Sequence, residues 1–233
     1  MLTDSIKLVI FDMAGTTVYD DHYVSEVLCA SLALHGYTVP REAADEVMGI
    51  AKPVAIRTLL NQFYPAATGV SIEPIHQDFL RLMIEFYANA EDIREIEGSS
   101  VVFRELRRQG IKVGIDTGFS RDITDIIMNR LGWQEEGLVD VSVASDEVAH
   151  GRPAPDMVYR AMELTGITDV KSVMKVGDTP VDIMEGNNAG CGMVVGVLSG
   201  IGTPVELKEA GEALLVDSIS DITAILDKTV VYN

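Results

Sequence analysis

Leu8-Val-Ile-Phe-Asp-Met-Ala-Gly-Thr-Thr17 is an apolar run that stops at Asp12 and continues at once into small residues. A second run far downstream, Met174-Lys-Val-Gly-Asp-Thr-Pro-Val-Asp182, has the same form. Each reads as a buried parallel strand ending at an aspartate. In an open α/β sheet, ligands gather at the carboxyl ends of the strands, so two such strands can aim both carboxylates at one point. Converging carboxylates repel unless a cation lies between them, and a hard divalent ion such as Mg²⁺ prefers oxygen ligands. Either run alone reads about as well as a strand ending in a solvated Asp-x-x-Gly turn. Their co-occurrence, in order, favours a shared site.

Outward from Thr17 the pattern turns helical. Val24–His35, Pro40–Val47, Pro53–Phe63 and Pro74–Asn89 are expected helices, with each proline suited to a first turn. From Ile96 onward helices and apolar strands alternate. Strands are expected at Ile111–Ile115, Val139–Ala144, Ser172–Val176, Met193–Leu198 and Leu214–Val216. Helices are expected at Ser99–Gln109, Arg121–Leu131, Asp156–Leu164, Val181–Asn188 and Ile219–Leu226. The pattern predicts an α/β fold, a doubly wound parallel sheet with a Rossmann-like core. Residues 1–17 and 94–233 form that core, and residues 18–93 form an inserted helical cap beside the end of the first strand.

The 233 residues carry a formal net charge of −18, which argues against nucleic-acid or anionic-membrane partners. An anionic substrate would then need a local cation or a basic pocket. Cys29 and Cys191 are far apart in sequence and have no metal-ligand spacing, which suits reduced thiols in a cytoplasmic protein. No apolar stretch approaches the roughly 20 residues that span a bilayer. Asp4 leads straight into a strand, so no signal peptide is expected. A monomer or homodimer fits this composition.

Asp12 is the candidate nucleophile toward phosphorus, preorganised at a strand end, with the Gly15-Thr16-Thr17 turn offering backbone N–H groups to a phosphate. Asp178 is the candidate metal ligand, and Asp182 is a second ligand or an anchor, or else only a charge compensating its helix dipole. Thr117, with the neighbouring helix N-terminus, suits a phosphate pocket, and Ser120 suits the helix cap. Arg152, the only Lys or Arg between Arg130 and Arg160, sits between Gly151 and Pro153 and can offer a planar fork to phosphate. Lys175 can contact phosphate or pair with a neighbouring carboxylate. Lys52, among apolar neighbours, can hold a partly neutral amine able to form an imine with an aldehyde, or it can be simply exposed. His22, His35, His76 and His150 show no ligand spacing.

Asp12, Thr117, Arg152 and Gly177-Asp178-Thr179 resemble, in order, the four motifs of the haloacid dehalogenase superfamily of Mg²⁺-dependent aspartate-nucleophile hydrolases. The resemblance covers essentially the whole chain. Within the superfamily, Asp12-Met13-Ala14-Gly15-Thr16-Thr17 and Met48-Gly49-Ile50-Ala51-Lys52 are similar to the phosphonatase branch. The resemblance implies that Ala14 lends the metal its backbone carbonyl and that Lys52 forms an imine with the substrate. It also puts Thr16, Gly49 and Gly118 beside the substrate. Most phosphatases of the superfamily have a general-acid Asp where this chain has Ala14. The chain departs from the branch at Ala55, where phosphonatases place His, and at Phe119, where they place Tyr. A small phosphonate or phosphorylated metabolite is therefore the expected substrate, cleaved through an aspartyl-phosphate. The alternatives are a phosphate-ester phosphatase of the phosphoglycolate phosphatase type and a binding protein that has lost turnover.

Overall fold

A computed structural model describes residues 6–230 of the chain, so Asp4 lies outside the described residues. The six strands are β1 (Leu8–Phe11), β2 (Lys112–Thr117), β3 (Val141–Ala144), β4 (Val173–Gly177), β5 (Met193–Val197) and β6 (Leu214–Val216). They form one parallel sheet in the order β3-β2-β1-β4-β5-β6. Strand order reverses between β2 and β4 around β1, the topological switch point at which such sheets bind ligands. Phe11 pairs with Ile115 on one side and Val176 on the other, and the Asp12 N–H donates to the Val176 carbonyl at 3.0 Å. Asp12, Thr117 and Asp178 therefore leave the sheet at one level.

The alternation of β1 explains why the strand is apolar throughout. Val9 and Phe11 join a large core shared with α5 (Ser99–Arg108), through Val102, Phe103 and Leu106. Leu8 and Ile10 pack on the other face against Met157, Val158 and Ala161 of α7 (Asp156–Thr165). Both faces are covered, which is the condition for an all-parallel sheet. The remaining helices after β2 are α6 (Arg121–Arg130), α8 (Pro180–Ala189), α9 (Pro204–Ala210) and α10 (Ile222–Val230).

Between β1 and α5 lie four helices: α1 (Tyr23–Ala33), α2 (Arg41–Asp45), α3 (Lys52–Phe63) and α4 (Glu73–Asn89). Pro53 and Pro74 occupy first-turn positions, while Pro40 is the residue before α2. The chain enters and leaves this helical segment side by side. Val18 and Glu95 form an antiparallel bridge, and the Tyr19 and Ile96 N–H groups donate to Arg94 and Thr17 carbonyls. The helices do not keep a core of their own. Leu28, Phe79, Met83 and Tyr87 belong to the same apolar cluster as Val9 and Phe11, and Tyr87 meets Phe119 edge-on at 5.8 Å between centroids. Arg130 of α6 also donates to the Tyr87 carbonyl at 2.8 Å.

Three details differ from the sequence expectation. Thr117 is the last residue of β2 rather than a loop residue beyond it. Helix α9 has no counterpart in the periodicity, because its seven residues are too short to show one. Ser120 precedes α6 in extended geometry, yet its hydroxyl makes no hydrogen bond, and the Arg121 N–H is satisfied by Asp146 at 3.0 Å instead.

Candidate active site

A small cavity opens at the carboxyl ends of β1, β2 and β4. Its core-side wall carries Asp12, Ala14, Gly15, Thr117, Gly118, Phe119, Asp178 and Thr179. The helical segment closes it with Asp20, Val24, Met48, Gly49 and Lys52. Gly49 packs tightly on the core: its φ is +79°, and a Cβ there would lie 2.6 Å from the Thr179 hydroxyl. Only a glycine fits a left-handed backbone in that contact without strain.

Asp12 is held from behind. Arg152 Nη1 lies 2.7 Å from its carboxylate, and the same nitrogen lies 3.1 Å from Asp182. Burial pushes the Asp12 carboxyl up to about 6, with the Arg152 charge opposing that effect. The rest of the guanidinium is fully engaged, with Nε on Glu185 at 3.1 Å and Nη2 on Asp116. Lys175 joins the same cluster, pairing with Asp116, with Asp182 at 3.2 Å and with Glu185 at 3.0 Å. Burial disfavours the Asp116 charge, but Arg152 and Lys175 outweigh it and hold the carboxyl below its ordinary value. Burial raises Glu185 to about 8.

Asp178 is the opposite case. It is 1 % exposed and accepts from the Thr16 hydroxyl at 2.8 Å and the Ile201 N–H at 3.1 Å. Among the described residues no cation pairs with it. Burial, followed by the charges of Asp12 and Asp182, pushes its carboxyl well above the usual range. A Cβ on Gly15, whose φ is +86°, would come within 2.4 Å of its Oδ2, so the turn is pressed against this carboxylate.

These contacts decide where a cation fits. Oxygens of Asp12, Asp116 and Asp182 approach within 4.8 Å of one another, a donor set of the right type for a hard metal ion. That cluster already contains the guanidinium of Arg152 and the ammonium of Lys175. The uncompensated buried carboxylate is Asp178, and it shares the cavity wall with Asp12 and Ala14. The residues present fit Mg²⁺ there, with Asp12 and Asp178 offering carboxylates.

Several candidate residues lie elsewhere than expected. Asp182 does not line the cavity. One oxygen receives the Thr179 N–H at 3.1 Å to cap α8, and the other faces Arg152 and Lys175. Lys175 is fully buried in its carboxylate cluster, so of its two sequence readings the pairing one is seen. Arg152 reaches Asp12 rather than the cavity, and the Thr16 hydroxyl serves Asp178. Thr117, Gly118 and Gly49 do line it.

Lys52 opens α3, is 4 % exposed and lines the same cavity as Asp12. Its Nζ lies 5.9 Å and 6.0 Å from the ring centroids of Phe79 and Phe119, and among the described residues its one hydrogen bond is a long one, 3.5 Å to the Ile50 carbonyl. Burial lowers its pKa to about 8 against the pull of Asp12 and Asp20. Asp116, Glu185, Asp20 and Phe79 were missed as site residues. For Glu185 a signal existed, since it follows Asp182 by three positions and so shares its helix face.

The chain belongs to the haloacid dehalogenase-like hydrolase family, whose model matches residues 6–190. It is a hydrolase. It is 33 % identical over 236 aligned positions to a phosphonoacetaldehyde hydrolase of Bacillus cereus strain AH187, covering 90 % of this chain and 86 % of that one. A phosphonoacetaldehyde hydrolase of Bacillus thuringiensis strain Al Hakam is 34 % identical over 210 positions, covering 84 % and 76 %. In fold, the chain matches a phosphonoacetaldehyde hydrolase-like protein from Oleispira antarctica with TM-score 0.80 and 24 % identity, covering 97 % and 93 %. A hydrolase from Pseudomonas syringae matches with TM-score 0.83 and 20 % identity, covering 95 % and 98 %. Among the described residues no helix is long and apolar enough to cross a membrane.

Proposed function

We propose that the protein is a Mg²⁺-dependent hydrolase of small carbonyl-bearing phosphonates, cleaving P–C through an aspartyl-phosphate on Asp12 and an imine on Lys52. The observation that carries this reading is Lys52: a buried amine with no acidic partner in contact among the described residues, in the same cavity as a strand-end carboxylate. Desolvation keeps part of that amine neutral at neutral pH, which imine formation requires. Ala14 offers no proton to a departing alkoxide, whereas a carbon leaving group activated as an imine needs none at that position. The curated relatives of that name add weight.

Asp12 attacks phosphorus, Arg152 fixes its orientation, and Thr117 with the Gly118 backbone faces the phosphoryl oxygens. Mg²⁺, held by Asp12, Asp178 and the Ala14 carbonyl, would supply charge neutralisation at the phosphoryl group. The helices within residues 18–93 act as a cap that excludes water from the closed cavity, with residues 1–17 and 94–233 as the catalytic core. Ala55 and Phe119 favour a second reading, a phosphate-ester hydrolase in which Lys52 serves only as a positive charge.

The test is phosphate release, with Mg²⁺, from phosphonoacetaldehyde beside a panel of phosphate esters including phosphoglycolate. Release from the phosphonate together with a borohydride-trapped adduct on Lys52 is expected. Release from esters alone, with no adduct, establishes the second reading. No release from any of them leaves a binding protein.

A further inference from the structure

The helical segment contributes one carboxylate to the cavity that the mechanism above does not use. Asp20 follows directly on the paired crossing at Val18–Glu95 and lines the same cavity as Lys52. The titratable side chains on that wall are Asp12, Asp20, Lys52 and Asp178. Asp12 is pinned by Arg152, and Asp178 accepts from Thr16 and Ile201. Asp20 accepts from the Val24 N–H at 3.4 Å and from the Tyr23 N–H, and makes no ion pair among the described residues. The same region holds a second unfilled polar group. The Tyr87 hydroxyl of α4 is buried with no hydrogen-bond partner among the described residues. It lies within the electrostatic reach of both Asp20 and Asp12.

Imine chemistry needs a proton carrier close to the amine. An acid must protonate the departing carbonyl oxygen, and the enamine carbon must be protonated later. The side chains beside the Lys52 amine are the rings of Phe79 and Phe119, at 5.9 Å and 6.0 Å, and neither can carry a proton. We propose that Asp20 is the acid–base catalytic residue for Lys52, passing protons to and from the carbonyl end of a small phosphonate. This assignment rests on the imine reading of the proposed function.

The steps balance. Neutral Lys52 adds to the carbonyl carbon, Asp20 gives one proton to the departing oxygen, and water leaves an iminium. The P–C electron pair then passes into the iminium as the Asp12 oxygen bonds to phosphorus, leaving an enamine. Asp20, reprotonated from solvent, delivers a proton to the enamine carbon. Water hydrolyses the resulting iminium to free the amine and the aldehyde, the released proton returning to Asp20, and a second water hydrolyses the Asp12 acyl phosphate to carboxylate and phosphate. Burial raises the Asp20 carboxyl to about 6, a value suited to giving and taking protons near neutrality. The groups that face it are His22, Lys52 and the Tyr87 hydroxyl.

The experiment measures the rate of borohydride trapping on Lys52 with the full chain, Mg²⁺ and phosphonoacetaldehyde, in wild type, Asp20→Asn and Asp20→Glu. Asp20→Asn should trap roughly 10²-fold more slowly, in line with loss of a general acid. Asp20→Glu should recover at least a tenth of the wild-type rate. Competition by inorganic phosphate should stay within about twofold across the three, because Asp20 lies at the carbonyl end. Wild-type trapping in Asp20→Asn overturns the role of Asp20 and leaves the imine standing. So does an Asp20→Glu variant no faster than Asp20→Asn, or a parallel loss of phosphate competition. Absence of any adduct in wild type overturns the imine reading and the role of Asp20 together.

Discussion

The two sides of Asp12 treat negative charge in opposite ways. Behind it, Asp116, Asp182 and Glu185 are threaded by Arg152 and Lys175, so every carboxylate has a cation within ion-pair distance. In front, Asp178 and Asp20 border the cavity with no such partner among the described residues, and Lys52 borders it with no anion in contact. Buried pairs resist loss of one member, because the survivor is left charged in a poor solvent. Buried single charges cost stability where they stand, which is tolerated where a ligand or a reaction uses them. The contrast separates groups that hold the site together from groups that line its cavity.

The largest effect should come from the residue between the two sides. Asp12→Asn should lower phosphate release by roughly 10⁴-fold or more while circular dichroism stays that of wild type. Activity within tenfold of wild type would reject Asp12 as the nucleophile. Behind it, Asp116→Asn should destabilise the protein by about 3–5 kcal/mol in urea unfolding, since Arg152 and Lys175 lose a shared anion. In front, Asp178→Asn without Mg²⁺ should be neutral or stabilising in the same assay, because it removes an uncompensated carboxylate. The same substitution should raise the Mg²⁺ concentration for half-maximal activity by roughly 10²-fold. Equal destabilisation by the Asp116 and Asp178 variants would break the comparison.

The smallest effect sharpens it. The folded-state pKa of Lys52 is depressed to about 8. Between pH 8 and the unfolded value near 10.5 the unfolded chain binds more protons, so the wild type gains stability as pH rises through that window. Lys52→Met should therefore stabilise the protein at pH 7, a gain that shrinks toward pH 10. A variant less stable than wild type at pH 7 would show that Asp12 and Asp20 hold Lys52 as a structural cation.

Much of this was legible in the chain. The runs ending at Asp12 and Asp178 were readable as strands, and their adjacency follows from β1 and β4 pairing in register. The helical run before α5 was readable from prolines and periodicity. What failed was the direction of side chains. Lys175 lies between Met174 and Val176, which face the main core, so period-two alternation already turns it to the other face. Helix α9 announced itself only by Thr203-Pro204-Val205-Glu206, a capping box in which the Glu206 N–H donates to the Thr203 hydroxyl at 3.3 Å. Asp20 was beyond reach, because only the packing of the helical segment on the core brings it to the cavity.

Arg152 Nη1 touches the Asp12 carboxylate at 2.7 Å and, more loosely, the Gly49 carbonyl at 3.4 Å. One nitrogen thus senses both the nucleophile and the segment that covers it. A displacement of the Gly49 backbone would therefore reach the Asp12 carboxylate through one side chain, a single pin joining the helical segment to the strand end.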